Sequence, residues 1–367
     1  MKLRFVYLLT LLIGFSSSLV SDTFLQTNLV SDISGLANAT DPHLLDPWGM
    51  SFSATSPIWV SDRAAGVATL YTGAGAINPL VVTVPPGTAT AGPTGQVFAG
   101  PTTSFTLNGT AASFIFDTLG GTIAAWNGGA TATTVATAAG ARYEGLALAN
   151  NMLFAANFVS GGGIDVFNSS YTKISSPGGF VDPMLPAGFA PFNVQVLNGK
   201  LYVEYASVNP NPAIPVPGAG GGVVDVFDTN GNLLQHLITN GGALDAPWGV
   251  AFAPSGFGSF GGDLLVGNFG NGEINAFDPT NGTFIGTLSD ATGAPLVNSG
   301  LWAIAVGNNS ANTHGLYFNA GLNGGADGLF GVITAVPEPQ AFGLAALGAV
   351  GLFAYLRRRS RGYARSK

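Results

Sequence analysis

Between Asp22 and Ala335 the chain is built of short runs in which apolar and polar positions alternate, each bounded by Gly, Asn, Asp or Pro. A period of two puts successive side chains on opposite faces of a strand, so these runs predict β-strands; the 3.6-residue period of an amphipathic helix is nearly absent. The runs repeat. Pro47-Trp48-Gly49-Met50-Ser51-Phe52 returns as Pro247-Trp248-Gly249-Val250-Ala251-Phe252, with looser copies at Tyr143–Leu148, Pro191–Val196 and Leu301–Val306. A second phrase of strand, Gly-rich turn and strand follows, clearest in Leu264–Asp278, and its relatives begin at Ile58, Phe114, Leu153, Leu201 and Leu316. Trp48 and Trp302 lie five steps apart, a period of about 51 residues.

A unit of this length with four short strands cannot bury both faces alone, so six units stack around an axis. The predicted fold is all-β, a six-bladed β-propeller over residues 22–335. An open ring would leave strand edges unpaired. The orphan strand Phe24–Val30 therefore supplies the outer strand of the sixth blade, whose own copy offers only Leu316–Phe318 and Leu329–Ile333 after its inner strand. Residues 73–104, rich in Gly, Ala, Thr and Pro, read as irregular, and Val208–Gly222 as an insertion between the fourth blade's middle strands. Asn230-Gly231 and Asn281-Gly282 read as hairpin turns, because both residues of Asn-Gly adopt positive φ readily.

Charge narrows the picture. The stretch from Asp22 to Ala335 holds four cationic residues, Arg63, Arg142, Lys173 and Lys200, against eighteen acidic ones, a formal charge of −14. Such a domain repels nucleic acid and anionic membrane surfaces and suits cations or neutral sugars. The absence of cysteine excludes disulfides and thiolate metal sites.

The two ends are of different character. Residues 1–21 carry Lys2 and Arg4, then the apolar Phe5–Phe15, then small residues, the pattern of a cleavable signal peptide. Residues 336–367 carry Pro337-Glu338-Pro339, an uncharged run from Ala341 to Leu356, and Arg357, Arg358, Arg359 and Arg361. At 1.5 Å per residue that run spans about 24 Å as a helix, somewhat short of a ~30 Å hydrocarbon core, with flanking arginines able to snorkel. This tripartite tail resembles the PEP-CTERM sorting signal of Gram-negative bacteria. The resemblance implies a single transmembrane sorting helix, an exosortase-type processing enzyme as partner, cleavage near Pro337, and transient anchoring in the inner membrane. Release to the cell surface or an extracellular polysaccharide matrix follows, with exopolysaccharide or surface proteins as further partners.

The repeats resemble NHL-type propellers in Pro-x-Gly-Val-Ala-x followed by Leu-x-Val-x-Asp/Asn. Gln26–Asp32, Asp46–Gly49, Ala155–Phe158, Ala190–Asn193, Leu264–Phe269 and Gly328–Gly331 are similar to a family of uncharacterised bacterial exported propellers. That resemblance brings no catalytic residues.

Candidate chemistry gathers at one mouth of the channel. Asp62, Asn157 and Asn268 occupy matching positions at the exits of second strands, with Glu204, Asn319 and Asp117 one place earlier; Asp46, Trp48, Asp245, Trp248 and Trp302 stand where inner strands begin. Acids, amides and indoles there point to carbohydrate recognition, with Ca²⁺ held by oxygen ligands as a variant. The same residues also serve as turn caps and packing between blades. No cofactor or metal is assigned: His43, His236 and His314 lack metal-ligand spacing. The sequence favours a non-enzymatic binding or scaffold protein, the alternative being a metal-dependent hydrolase or lactonase at the mouth.

Overall fold

The computed structural model describes residues 23–210 and 213–336. The predicted signal peptide and the sorting residues Pro337, Glu338, Pro339 and Arg357–Arg359 lie outside them. Six antiparallel sheets of four main strands form six blades, as the repeats predict. Their inner strands are Pro47–Ser51, Pro93–Phe98, Tyr143–Ala149, Phe189–Leu197, Pro247–Phe252 and Leu301–Val306. Each touches the next in a closed cycle, the last against the first. Among the described residues no helix is long and apolar enough to cross a membrane.

Strands buried on both faces sort their side chains by parity. In blade 5, Leu264 and Val266 face blade 4, while Leu265 faces blade 6. The buried apolar residues accordingly form one cluster at each of the six blade interfaces. A seventh lies on the axis and contains Trp48, Phe158, Phe192, Trp248 and Trp302. The channel is thus plugged by aromatic packing.

The recurring Pro-Trp-Gly phrase is explained at that axis. Its second position supplies Trp48, Thr94, Glu144, Phe192, Trp248 and Trp302, one from each inner strand. Its third position is Gly in four blades, because neighbouring inner strands meet there. A Cβ on Gly49 would overlap the backbone oxygen of Thr94, and one on Gly95 the backbone nitrogen of Leu146. The register slips at this point in each of those pairings with a second strand, as between Pro47 and Met50 or Pro247 and Gly249.

The ring closes as expected. Phe24–Ser31 pairs antiparallel with Asp327–Ala335, completing blade 6 from the opposite end of the chain. Phe24 packs on Phe257 and Phe260 of blade 5, and the Gln26 and Asn298 amides bond each other reciprocally at 2.9 Å.

Two expectations are corrected. Residues 73–104 are not all irregular: Pro93-Thr94-Gly95-Gln96-Val97-Phe98 is the inner strand of blade 2, a copy of the repeat with Thr in place of Trp. In the Asn230-Gly231 and Asn281-Gly282 turns only the glycines take positive φ, 79° and 71°. The loops are longer than a two-residue hairpin, and Asp228 and Asp278 cap their backbone N–H groups. In the first, the Gly231 N–H closes on the Asp228 oxygen at 3.0 Å, the turn followed by a left-handed glycine that a three-residue hairpin favours.

Candidate functional site at the channel mouth

Above the aromatic plug lies a cavity of about 700 Å³. Its floor is the Trp48–Trp302 pair, stacked with ring centroids 3.6 Å apart and only 4% and 3% exposed. Phe269 continues the stack, 4.3 Å from Trp302. One wall is the Val208–Gly222 insertion. The second strand of blade 4 runs on to Pro210 and pairs with Ala213–Pro215, bringing Ile214, Pro215 and Pro217 to the cavity. The expected insertion is therefore an arm reaching the mouth.

Asp46 organises the floor. It sits at φ 48°, a left-handed conformation a non-glycine residue adopts at a cost of about 1–3 kcal/mol. In that conformation its carboxylate accepts the indole N–H of Trp48 at 2.8 Å and of Trp302 at 3.2 Å, and the Nε–H of Arg63. Gly321 and Gly325 pass so close that a Cβ on either would crowd this carboxylate. Arg63 follows the second strand of blade 1 directly, and its Nη1 donates to the Ala89 oxygen at 2.8 Å.

A second arginine stands across the cavity. The backbone N–H of Arg142 is held by Asn157 Oδ1 at 3.0 Å, and its Nε donates to the buried Glu144. Burial pushes the Glu144 carboxyl up to about 8, against the opposing pull of Arg142. Its second oxygen has no hydrogen-bond partner among the described residues. Arg63 thus pairs with Asp46 and Arg142 with Glu144, and the Asp245 carboxylate lies against Gly270 of the cavity lining. The mouth gathers two of the domain's four cations, each beside an acid.

The nine residues singled out from the sequence divide by role. Asp46, Trp48 and Trp302 line the cavity. Asn157 holds Arg142, and Asn319 Nδ2 holds the Trp48 carbonyl at 3.2 Å. Trp248 is buried on the axis and donates to the Glu144 carbonyl at 3.1 Å. Asp245 accepts the Gly218 N–H at 2.7 Å, tying down the arm. Asp62 is buried against Thr69 Oγ1 at 2.7 Å, and Asn268 Nδ2 bonds the Ala243 carbonyl at 2.9 Å. Arg63 and Arg142 were not anticipated at the site. The signal lay in the composition: two of only four cations stand beside the strand ends that carry the candidate acids. Of the histidines, His43 pairs with Asp41, His314 with the Ser255 carbonyl, and His236 with Asp225 of blade 4 and Asp182 of the loop before it.

Residues 335–359 match the PEP-CTERM protein-sorting motif, which implies export and sorting through the membrane by an exosortase. Over 323 residues the chain is 30% identical to the uncharacterized protein R648 of Acanthamoeba polyphaga mimivirus, covering 83% of this chain and 78% of that protein. The chain belongs to the R648 family. A viral relative does not carry the bacterial origin that the resemblance implied. Among solved structures, a streptogramin B lyase aligns at TM-score 0.51 with 12% identity, covering 86% of this chain and 98% of that one. The soluble aldose sugar dehydrogenase of Escherichia coli aligns at 0.51 with 13% identity, covering 86% and 100%. At such identities the likeness shows that the R648 family shares the propeller fold, and no activity is carried across.

Proposed function

We propose that the protein is an exported, non-enzymatic binding module whose channel mouth takes a small saccharide unit bearing a carboxylate. The observation that carries this reading is the pairing of Arg63 and Arg142 in one cavity, half of the four cations between Asp22 and Ala335. A guanidinium is suited to a ligand carboxylate, and hydroxyls find acceptors along the polar rim. The indole faces stack on each other, so a sugar meets the rim of the stack and the side of Phe269. The −14 charge disfavours long polyanions, while two guanidiniums in one cavity offer N–H donors to one acidic unit.

Export supplies the context. In this reading residues 1–21 are removed as a signal peptide, an exosortase cuts near Pro337, and the acidic domain is freed into the cell surface or its polysaccharide matrix. Of the acids singled out at strand ends, only Asp46 lines the cavity, and its carboxylate already accepts three donors, which disfavours it as a ligand for a hydrolytic metal. The test is a binding screen of neutral and uronate-containing oligosaccharides with the purified protein. Retention of short uronate-bearing chains over their neutral counterparts is expected; equal or no retention rejects the proposal.

A further inference from the structure

A second polar cluster lies in blade 4, away from the mouth. Asp225 and His236 are register partners on the adjacent strands Val223–Phe227 and Leu233–Ile238. Residues directly opposite in a sheet hold their Cβ atoms about 5 Å apart, within reach of one shared ligand. Asp182 joins them from the loop between blades 3 and 4. That loop is moored to the blade by the Gly178 and Phe180 N–H groups, which donate to the Asn230 and Gly231 carbonyls at 2.8 and 3.0 Å. Phe180 also packs on Phe154 and Phe227, so Asp182 is delivered to its place by neighbouring anchors.

His236 Nδ1 lies 3.0 Å from Asp182 Oδ2 and 2.8 Å from Asp225 Oδ1; both acid side chains are wholly buried and the imidazole is 8% exposed. Asp182 Oδ1 accepts the Met184 N–H at 2.9 Å. Asp225 Oδ2 and Asp182 Oδ2 satisfy no hydrogen bond among the described residues. Two carboxyl groups and an imidazole buried together, with carboxyl oxygens left unpartnered, are costly to hold without a cation. A divalent cation with a neutral imidazole balances the pair. The imidazole nitrogen lies about 3 Å from one oxygen of each acid and the three ligand atoms all lie within 4.8 Å of one another, a spacing that one ion bonded to each at ~2.1 Å can span.

We propose that Asp182, Asp225 and His236 bind one divalent transition-metal ion of the Zn²⁺ or Mn²⁺ class. The imidazole nitrogen favours such an ion over Ca²⁺, which prefers an all-oxygen set. Its role is mechanical: the ion clips the loop at residues 175–188 to blade 4, a cross-link in an exported chain without cysteine. None of the three residues lines the mouth cavity, so this proposal stands apart from the saccharide reading.

The test is calorimetric titration of the full chain, purified in detergent and stripped with chelator, using Zn²⁺, Mn²⁺ and Ca²⁺ separately. One equivalent of Zn²⁺ or Mn²⁺ is expected to bind and to raise the melting temperature by several degrees, with Ca²⁺ at least tenfold weaker. Asp225→Asn and His236→Gln should each weaken binding at least tenfold. Should Asp225→Asn fail to fold, His236→Gln, nearer the surface, reads the same contact, and the wild-type titration stands alone. No stoichiometric binding by the wild type, unchanged affinity in the folded variants, or tighter binding of Ca²⁺ overturns the proposal.

Discussion

Trp48 and Trp302, from the first and last inner strands of the ring, stack at 3.6 Å and donate both indole N–H groups to the Asp46 carboxylate. One acid thus joins the two blades at which the cycle closes. Asp46→Ala leaves two indoles and Arg63 without their acceptor, and a loss of about 3–5 kcal/mol is expected. Asp46→Asn keeps the shape and an acceptor oxygen, so it should lose less. Urea unfolding followed by tryptophan fluorescence measures both.

Closure at the outer strand gives a second prediction. Phe24 is 3% exposed and spans the join between blades 5 and 6. Phe24→Ala should cost about 3–5 kcal/mol by the same measurement, while Leu25→Ala, whose side chain is 59% exposed, should change stability by under about 1 kcal/mol.

The glycines of the repeat separate close approach from turn preference. Gly49→Ala would drive a methyl into the Thr94 backbone, which cannot yield without moving the axis. A loss of about 3 kcal/mol or a failure to fold is expected. Gly163→Ala meets nothing within 4 Å and its φ is not positive, so it should be neutral or slightly stabilising. Thermal melts of the two variants decide the point.

Stability should fall as pH rises. Burial lifts the Asp117 carboxyl to about 7 and Glu144 to about 8, above their unfolded values near 4. The folded protein therefore holds more protons than the unfolded chain between about pH 4 and pH 8. The contribution of these groups is complete below pH 4 and is lost progressively as pH rises through 7 and 8. Unfolding free energies at pH 5 and pH 8 in chelator should show the decline, and Asp117→Asn should flatten it.

How much of this was legible depends on what each residue answers to. The blades were, because Pro-Trp-Gly is imposed by the axis: Trp fills it and Gly lets the next strand approach. The inner strand of blade 2 was hidden because Thr94 replaces the Trp, although Pro93 and Gly95 keep their places. Asp46, Trp48 and Trp302 could be placed at the mouth because strand ends fix them. Arg63 and Arg142 could not, since a count of four cations against eighteen acids says what the domain repels, not where its cations gather. The cluster in blade 4 needed two things absent from spacing: the hairpin register that pairs Asp225 with His236, and the moored loop that delivers Asp182.

The central claim is that the arginines at the mouth bind an acidic saccharide unit. Calorimetric titration of a short uronate oligosaccharide into the wild type, Arg142→Gln and Lys173→Gln tests it most directly, because Lys173 is a cation of blade 3 outside the cavity. Binding by the wild type and by Lys173→Gln, weakened at least tenfold in Arg142→Gln, is the predicted result. Equal binding by Arg142→Gln and the wild type, or no binding by the wild type, would contradict the account.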